Sequence, residues 1–372
     1  MTKLQVRQRP VVEEFTGFHP TLPDRTIPEL KEILGLDEVI KLSFNESPYG
    51  LSPRAVSALQ AAAANAYLYH DPEGKELRQM LASLYRVGDN QIVLGNGADE
   101  IISLVTQGLL VPGDEVVIPA PTFGQYAFAT RLQGGVPVFV PVKEDMGIDL
   151  SAMAAAITPR TKIVIICNPN NPTGMIVSGQ ELRAFLAKVP PTVAVVLDEA
   201  YAEYVTDTTY KSGIDFLGEY ANVIAVRTFS KIYGMAALRL GYGIARPEFI
   251  ELLNRVRNLF NVNYLAQVAA KAALSDGAFR DYAARLNAAQ RDRVTGALQA
   301  LGARVCPSQA NFVFAALANA AEYYTELAKR GIIVRPGNAW NLPQYLRISL
   351  GNSAQNDKLI AAMYEIRRQK RL

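Results

Sequence analysis

The chain has 372 residues, of which 49% are hydrophobic and 20% charged, and its formal net charge is +3. That apolar share can fill a large core and excludes a disordered or fibrous chain, while the weak positive balance gives no ground for a nucleic-acid or anionic-membrane partner. The length predicts two or three domains. Cys167, Cys306, His19 and His70 are the only cysteines and histidines, and none sits at a metal-ligand spacing, so no metal centre is expected. Sparse cysteine fits a reducing, cytoplasmic setting. Residues 1–14 are polar and basic without an apolar core segment, so no signal peptide is expected, and no apolar run approaches membrane-spanning length.

In chain order, residues 1–24 read as an irregular, proline-containing arm. Short Val- and Ile-rich runs then alternate with helical stretches. Strands are predicted at 91–94, 115–118, 136–140, 162–166, 194–197, 223–226 and 241–244, and helices at 99–110, 124–132 and 179–188. Runs such as Ile163-Val164-Ile165-Ile166 are apolar on both alternating faces, the pattern of a mostly parallel sheet covered on both sides. Residues 247–301 read as one Ala-rich helical region. Strands return at 310–314, 332–334 and 345–349, with helices at 321–329 and 353–370. The expected division is an N-terminal arm with part of a small domain (1–44), a large domain (45–274) and a small C-terminal domain (275–372).

In a sheet of this kind, ligands bind beyond the carboxyl ends of the strands. Gly95-Asn96-Gly97-Ala98-Asp99-Glu100 follows the first of these strands and leads into a helix. It reads either as an ordinary loop-to-helix cap or as a phosphate seat on free N–H groups; with Glu100 where a third glycine would stand, it is no dinucleotide fingerprint. Next come the turn Asn168-Pro169-Asn170-Asn171-Pro172-Thr173-Gly174, then Asp198-Glu199-Ala200-Tyr201, then Arg227-Thr228-Phe229-Ser230-Lys231, with Arg239 eight residues on. Lys231 reads either as a snorkelling surface lysine or as a Schiff-base nucleophile.

Pyridoxal phosphate unites these strand ends, because it needs an amine for its aldehyde, a carboxylate for its pyridine nitrogen, donors for its phenolic oxygen and a phosphate cup. Lys231, Asp198, Asn171 with Tyr201, and Gly97, Ala98 and Asp99 with Thr228, Ser230 and Arg239 match those needs in turn. Phe123 supplies a ring to stack on the pyridine.

On these segments, with Leu42-Ser43-Phe44-Asn45-Glu46-Ser47-Pro48, Phe260-Asn261-Val262-Asn263 and Leu346-Arg347-Ile348-Ser349-Leu350-Gly351, the sequence resembles fold-type-I pyridoxal-phosphate aminotransferases, most nearly the histidinol-phosphate aminotransferase group. The resemblance implies an aspartate-aminotransferase-like, three-layer α/β cofactor domain with a smaller α/β domain. It implies that Lys231 carries the cofactor with Asp198 and Tyr201 beside it, and that Arg347 grips the substrate anion. Arg335, Asn45 and Asn96 are assigned to the substrate end, with Trp340 and Tyr264 as candidate walls of a side-chain slot. It also implies a homodimer in which Tyr69 reaches the neighbouring subunit's cofactor phosphate. Tyr69 is followed by His70-Asp71-Pro72 where the group usually reads Tyr-Pro-Asp, Phe123 stands where tyrosine is common, and Ser47 stands where asparagine is commoner. The expected reaction is ping-pong amino transfer from histidinol phosphate to 2-oxoglutarate. The alternatives are an aromatic amino-acid aminotransferase, a threonine-phosphate decarboxylase of the same fold, and a non-catalytic cofactor-binding module, which an intact Lys231, Asp198 and Arg347 disfavour.

Overall fold

A computed structural model of the chain describes residues 9–13, 15, 17 and 19–370. Most of the segment expected to lack a signal peptide, residues 1–14, lies outside the described residues. Among those described, no helix is long and apolar enough to cross a membrane.

Twelve strands are described: β1 (Ile40–Leu42), β2 (Ile92–Gly95), β3 (Glu115–Ala120), β4 (Val136–Pro141), β5 (Thr161–Cys167), β6 (Ala194–Asp198), β7 (Val223–Thr228), β8 (Gly241–Ala245), β9 (Arg304–Val305), β10 (Phe312–Ala316), β11 (Ile332–Pro336) and β12 (Tyr345–Ser349). They form a seven-stranded sheet of order β2-β8-β7-β6-β5-β3-β4 and a five-stranded sheet of order β1-β11-β12-β10-β9. In the larger sheet β7, β6, β5, β3 and β4 run parallel, and only β8 is antiparallel to its neighbours. Helices cover both faces, so Val164 and Ile166 join one apolar cluster while Ile163 and Ile165 join another on the opposite side. Each such buried aliphatic side chain contributes about 1.5–3 kcal/mol relative to exposure.

Local chemistry explains the helix starts. Ser178 and Glu181 form a reciprocal cap at the helix Gly179–Leu186, and Asn263 and Asp276 cap Tyr264–Leu274 and Gly277–Ala300. One expectation needs correction and another gains detail. The arm holds a helical turn, Pro10–Glu13, and a 3-10 turn, Leu22–Asp24, the latter closed by the Thr21–Asp24 pair. The region 247–301 is three helices, Pro247–Asn254, Tyr264–Leu274 and Gly277–Ala300, because Phe260 takes a left-handed conformation (φ 59°) and Asn263 and Asp276 cap new starts. The 24-residue helix Gly277–Ala300 joins two cores: Ala283 packs with the seven-stranded sheet, Val294 and Leu298 with the five-stranded one.

Candidate active site

A cavity of about 780 Å³ opens at the carboxyl ends of β5, β6 and β7 and is closed on its far side by β11 and β12. Asp198 is the last residue of β6, in register with Cys167 of β5 and Val226 of β7. Only 3% of its surface is exposed. Burial raises its carboxyl to about 6, against opposing hydrogen bonds from Tyr126 and the Ala200 N–H. Tyr126 Oη donates to one carboxylate oxygen at 2.7 Å and Ala200 N to the other at 3.1 Å.

Lys231 lies just beyond β7, its Nζ donating to the Phe44 carbonyl at 3.0 Å and sitting over the Tyr201 ring. Burial lowers its amine to about 8, with the Arg347 charge pushing the same way. Near neutral pH a larger share of such an amine is therefore neutral than of an ordinary lysine.

Beside it, the helix Ala98–Leu109 begins at Gly97, whose φ of 81° favours glycine and whose Cβ position lies 2.6 Å from Arg239 Nη2. Gly241 is equally constrained, since a Cβ there would meet Ala98 N at 2.4 Å. Arg239 bonds Asp99 Oδ2 at 3.1 Å and Ser230 Oγ at 3.3 Å. Ala98, Asp99, Thr228, Ser230 and Arg239 thus form one polar end of the cavity, at the positive end of a helix.

At the other end stands Arg347, only 6% exposed. Its Nη1 donates to Asn171 Oδ1 and its Nη2 to the Ser43 carbonyl, both at 2.6 Å, while its Nε is buried without a partner. Burial lowers this guanidinium to about 10. Arg335 faces it across the β11–β12 ladder, an unfavourable like-charge pair that Asp24 of the arm relieves by an ion pair to Arg335 at 2.8 Å. Trp340 completes the wall, its indole N–H bonded to the Thr122 carbonyl at 3.1 Å and its ring beneath the Arg347 guanidinium.

The structure therefore brings together Lys231, Asp198, Tyr201, Asn171, Phe123, Ala98, Asp99, Thr228, Ser230, Arg239, Arg335 and Arg347, with Gly97 directly behind Arg239. Asn45 borders the cavity with its amide already engaged: Nδ2 donates to Tyr201 Oη at 3.1 Å, and Oδ1 accepts from Ser349 at 2.8 Å. Asn96 and Tyr264 lie outside the cavity lining. The side chain of Asn96 is exposed, because the turn leading to Gly97 directs it away while its backbone N–H donates to Glu100. Tyr69 is 86% exposed, its ring packed on Phe260. His70 bonds the Val262 carbonyl at 2.6 Å, a local structural role, and His19 is exposed. Sequence reasoning missed Tyr126, Glu46 and Cys167. Tyr126 had a usable signal, since it follows Phe123 by three residues and thus shares its face at the start of a helix.

These residues fit pyridoxal phosphate. An amine, a buried carboxylate and a glycine-dependent polar cup line one cavity, and a buried guanidinium with an unpartnered Nε at its far end leaves a place for a second anion. Comparison with known proteins agrees. The family model "Aminotransferase class I and II" matches residues 37–363. A histidinol-phosphate aminotransferase of Moorella thermoacetica is 45% identical over 95% of this chain and 92% of its own length. Among solved structures, the Sinorhizobium meliloti histidinol-phosphate aminotransferase in complex with pyridoxal-5'-phosphate superposes with a TM-score of 0.89 at 28% identity, covering 98% of both chains. The L-threonine-O-3-phosphate decarboxylase of Porphyromonas gingivalis superposes at 0.77 and 26% identity, over 88% of this chain and 99% of that one. The chain belongs to the class I and II aminotransferases, a pyridoxal-phosphate-dependent family.

Proposed function

We propose that this aminotransferase moves the amino group of histidinol phosphate to 2-oxoglutarate, with one cavity serving donor and acceptor in turn and ping-pong kinetics as the consequence. The observation that carries the reading is Arg347, a buried guanidinium with a free Nε and no carboxylate partner among the described residues, facing a second arginine across the ladder. Such a pair suits a phosphate in one half-reaction and carboxylates in the other. The relatives named as histidinol-phosphate aminotransferases support the same choice.

Bound pyridoxal phosphate supplies an aldehyde for amine exchange and an electron-withdrawing ring that stabilises negative charge at the substrate's α carbon. In this reading Asp198 holds a proton on the ring nitrogen, Asn171 and Tyr201 donate to the phenolic oxygen, and Phe123 stacks on the ring. Gly97, Ala98, Asp99, Thr228, Ser230 and Arg239 seat the phosphate. Lys231 Nζ, its basicity lowered by burial, would carry the proton from the donor's α carbon to the carbon of the cofactor's aldehyde group, and in the second half-reaction from there to the α carbon of the acceptor. Asn45 holds the Tyr201 hydroxyl in place through its Nδ2. Trp340 and Phe123 limit water at the reacting carbon.

Several further assignments belong to this proposal. The protein is assigned to the cytoplasm and to a homodimer in which Tyr69 is contributed to the partner's phosphate seat, the dimer being supported by the exposure of the large apolar residues Tyr67 (81%), Tyr69 (86%) and Leu259 (70%). The domains run 1–44, 45–274 and 275–372. In the deciding experiment, kcat/KM is compared for histidinol phosphate, phenylalanine and threonine phosphate with 2-oxoglutarate as acceptor. Histidinol phosphate is expected to lead; a lead for phenylalanine, or carbon dioxide release from threonine phosphate, would replace the substrate assignment. Lys231→Ala is expected to remove the near-visible absorbance of the lysine–cofactor bond and lower turnover by about 10²–10⁴-fold.

A further inference from the structure

Asp198 ends a strand buried on both faces, and two groups hold its carboxylate: Ala200 N on Oδ1 and Tyr126 Oη on Oδ2. Tyr126 is fully buried in the helix Gln125–Leu132. Its ring meets Phe123 edge-on, with centroids 5.6 Å apart and planes at 85°, a favourable arrangement of the two quadrupoles. One side chain therefore touches both the acid and the aromatic plate that enclose the place of the pyridine ring.

The charges around Asp198 make its ionisation costly. Besides burial, Asp99 of the helix Ala98–Leu109 and Glu199, next in the chain, oppose a negative charge, and the Cys167 thiol and Tyr201 phenol nearby are uncharged in the neutral range. The Tyr126 hydroxyl is the one side-chain donor among the described residues that bonds the ionised carboxylate and so opposes these effects.

We propose that Tyr126 is a positioning residue for the cofactor: its hydroxyl keeps Asp198 ionised and aimed at the ring nitrogen, while its ring fixes the plane of Phe123. The proposal rests on the assignment of Asp198 to the ring nitrogen. Tyr126→Phe removes the hydroxyl and retains the edge-on ring, so the fold and the aromatic wall persist. Asp198 then keeps only the Ala200 N–H, its carboxyl rises further, and a protonated Asp198 is a poor partner for a protonated pyridine.

The test is binding of pyridoxal phosphate to the cofactor-stripped protein from pH 5 to 9, read by quenching of Trp340, the only tryptophan and part of the cavity wall. Wild-type affinity is expected to fall on the acid side. In Tyr126→Phe the midpoint of that fall should move up by about one pH unit, with affinity at pH 7 reduced about tenfold and affinity at pH 8.5 much less affected. In an Asp198→Asn background the second change should have no further effect. An equal loss at every pH, or a loss that persists in Asp198→Asn, would assign Tyr126 a packing role only and overturn the proposal. Wild-type protein that binds no cofactor at any pH would overturn the assignment of Asp198 as well.

Discussion

Arg227 and Arg347 are both buried, 7% and 6% exposed, yet their surroundings are opposite. Arg227 on β7 is closed by acids: Nε bonds Glu199 at 2.8 Å, Nη1 bonds Glu203 at 3.0 Å and Nη2 bonds Ser212 at 3.1 Å. Burial alone would weaken its hold on the proton, but Glu199, Tyr85 and Glu203 together raise its pKa well above the usual arginine value. Arg347 on β12 donates only to neutral oxygens among the described residues, keeps an Nε without a partner there, and burial brings it down to about 10. A guanidinium whose charge is answered inside the protein serves the fold, whereas one left unanswered at a cavity serves a ligand.

The largest expected effect is at the closed centre. Arg227→Met leaves Glu199 and Glu203 buried without a cation and should cost on the order of 3–5 kcal/mol in urea or calorimetric unfolding. The same swap at Arg347 removes a charge that no acid among the described residues balances, and its cost should be about 1–2 kcal/mol, chiefly for the Asn171 and Ser43 oxygens left unpaired. Equal costs at the two sites would erase the distinction.

The next effect concerns turnover. Arg347→Lys keeps the charge but loses the planar fork, and should raise KM for 2-oxoglutarate about 10–100-fold while leaving unfolding unchanged. Asp24→Asn comes last. Freed from its ion pair at 2.8 Å, Arg335 should bind the substrate anion better, lowering KM for a phosphate-bearing amine about fivefold, a gain of about 1 kcal/mol. A rise in KM would make Asp24 an orienting group for Arg335 rather than a competitor.

Particular residues show which features were legible in the chain. The double-faced apolar runs around Ile163 and Val195 announced a covered parallel sheet, and the polar residues just beyond them, Asn171, Asp198 and Ser230-Lys231, mark the cavity because strand ends bring them to one edge. Phe260 and Asn263 were harder to read as breaks, since neither glycine nor proline marks the end of helix at residue 254. Asn96 shows the opposite error: its neighbours belong to the cavity end, but one turn of backbone decides which way a side chain points.

The order of apolar runs and the residues at their ends thus determined by themselves the layered α/β architecture, the class of cofactor and many of the residues that line the cavity, because periodicity and strand-end position are local properties. Only the tertiary structure decided that Tyr126 holds Asp198, that Glu199 and Glu203 neutralise Arg227, and that Arg335 meets Arg347 while Asp24 restrains it. Those partners lie dozens to hundreds of residues apart or face each other across a ladder, and their charges acquire meaning only once burial removes water from between them.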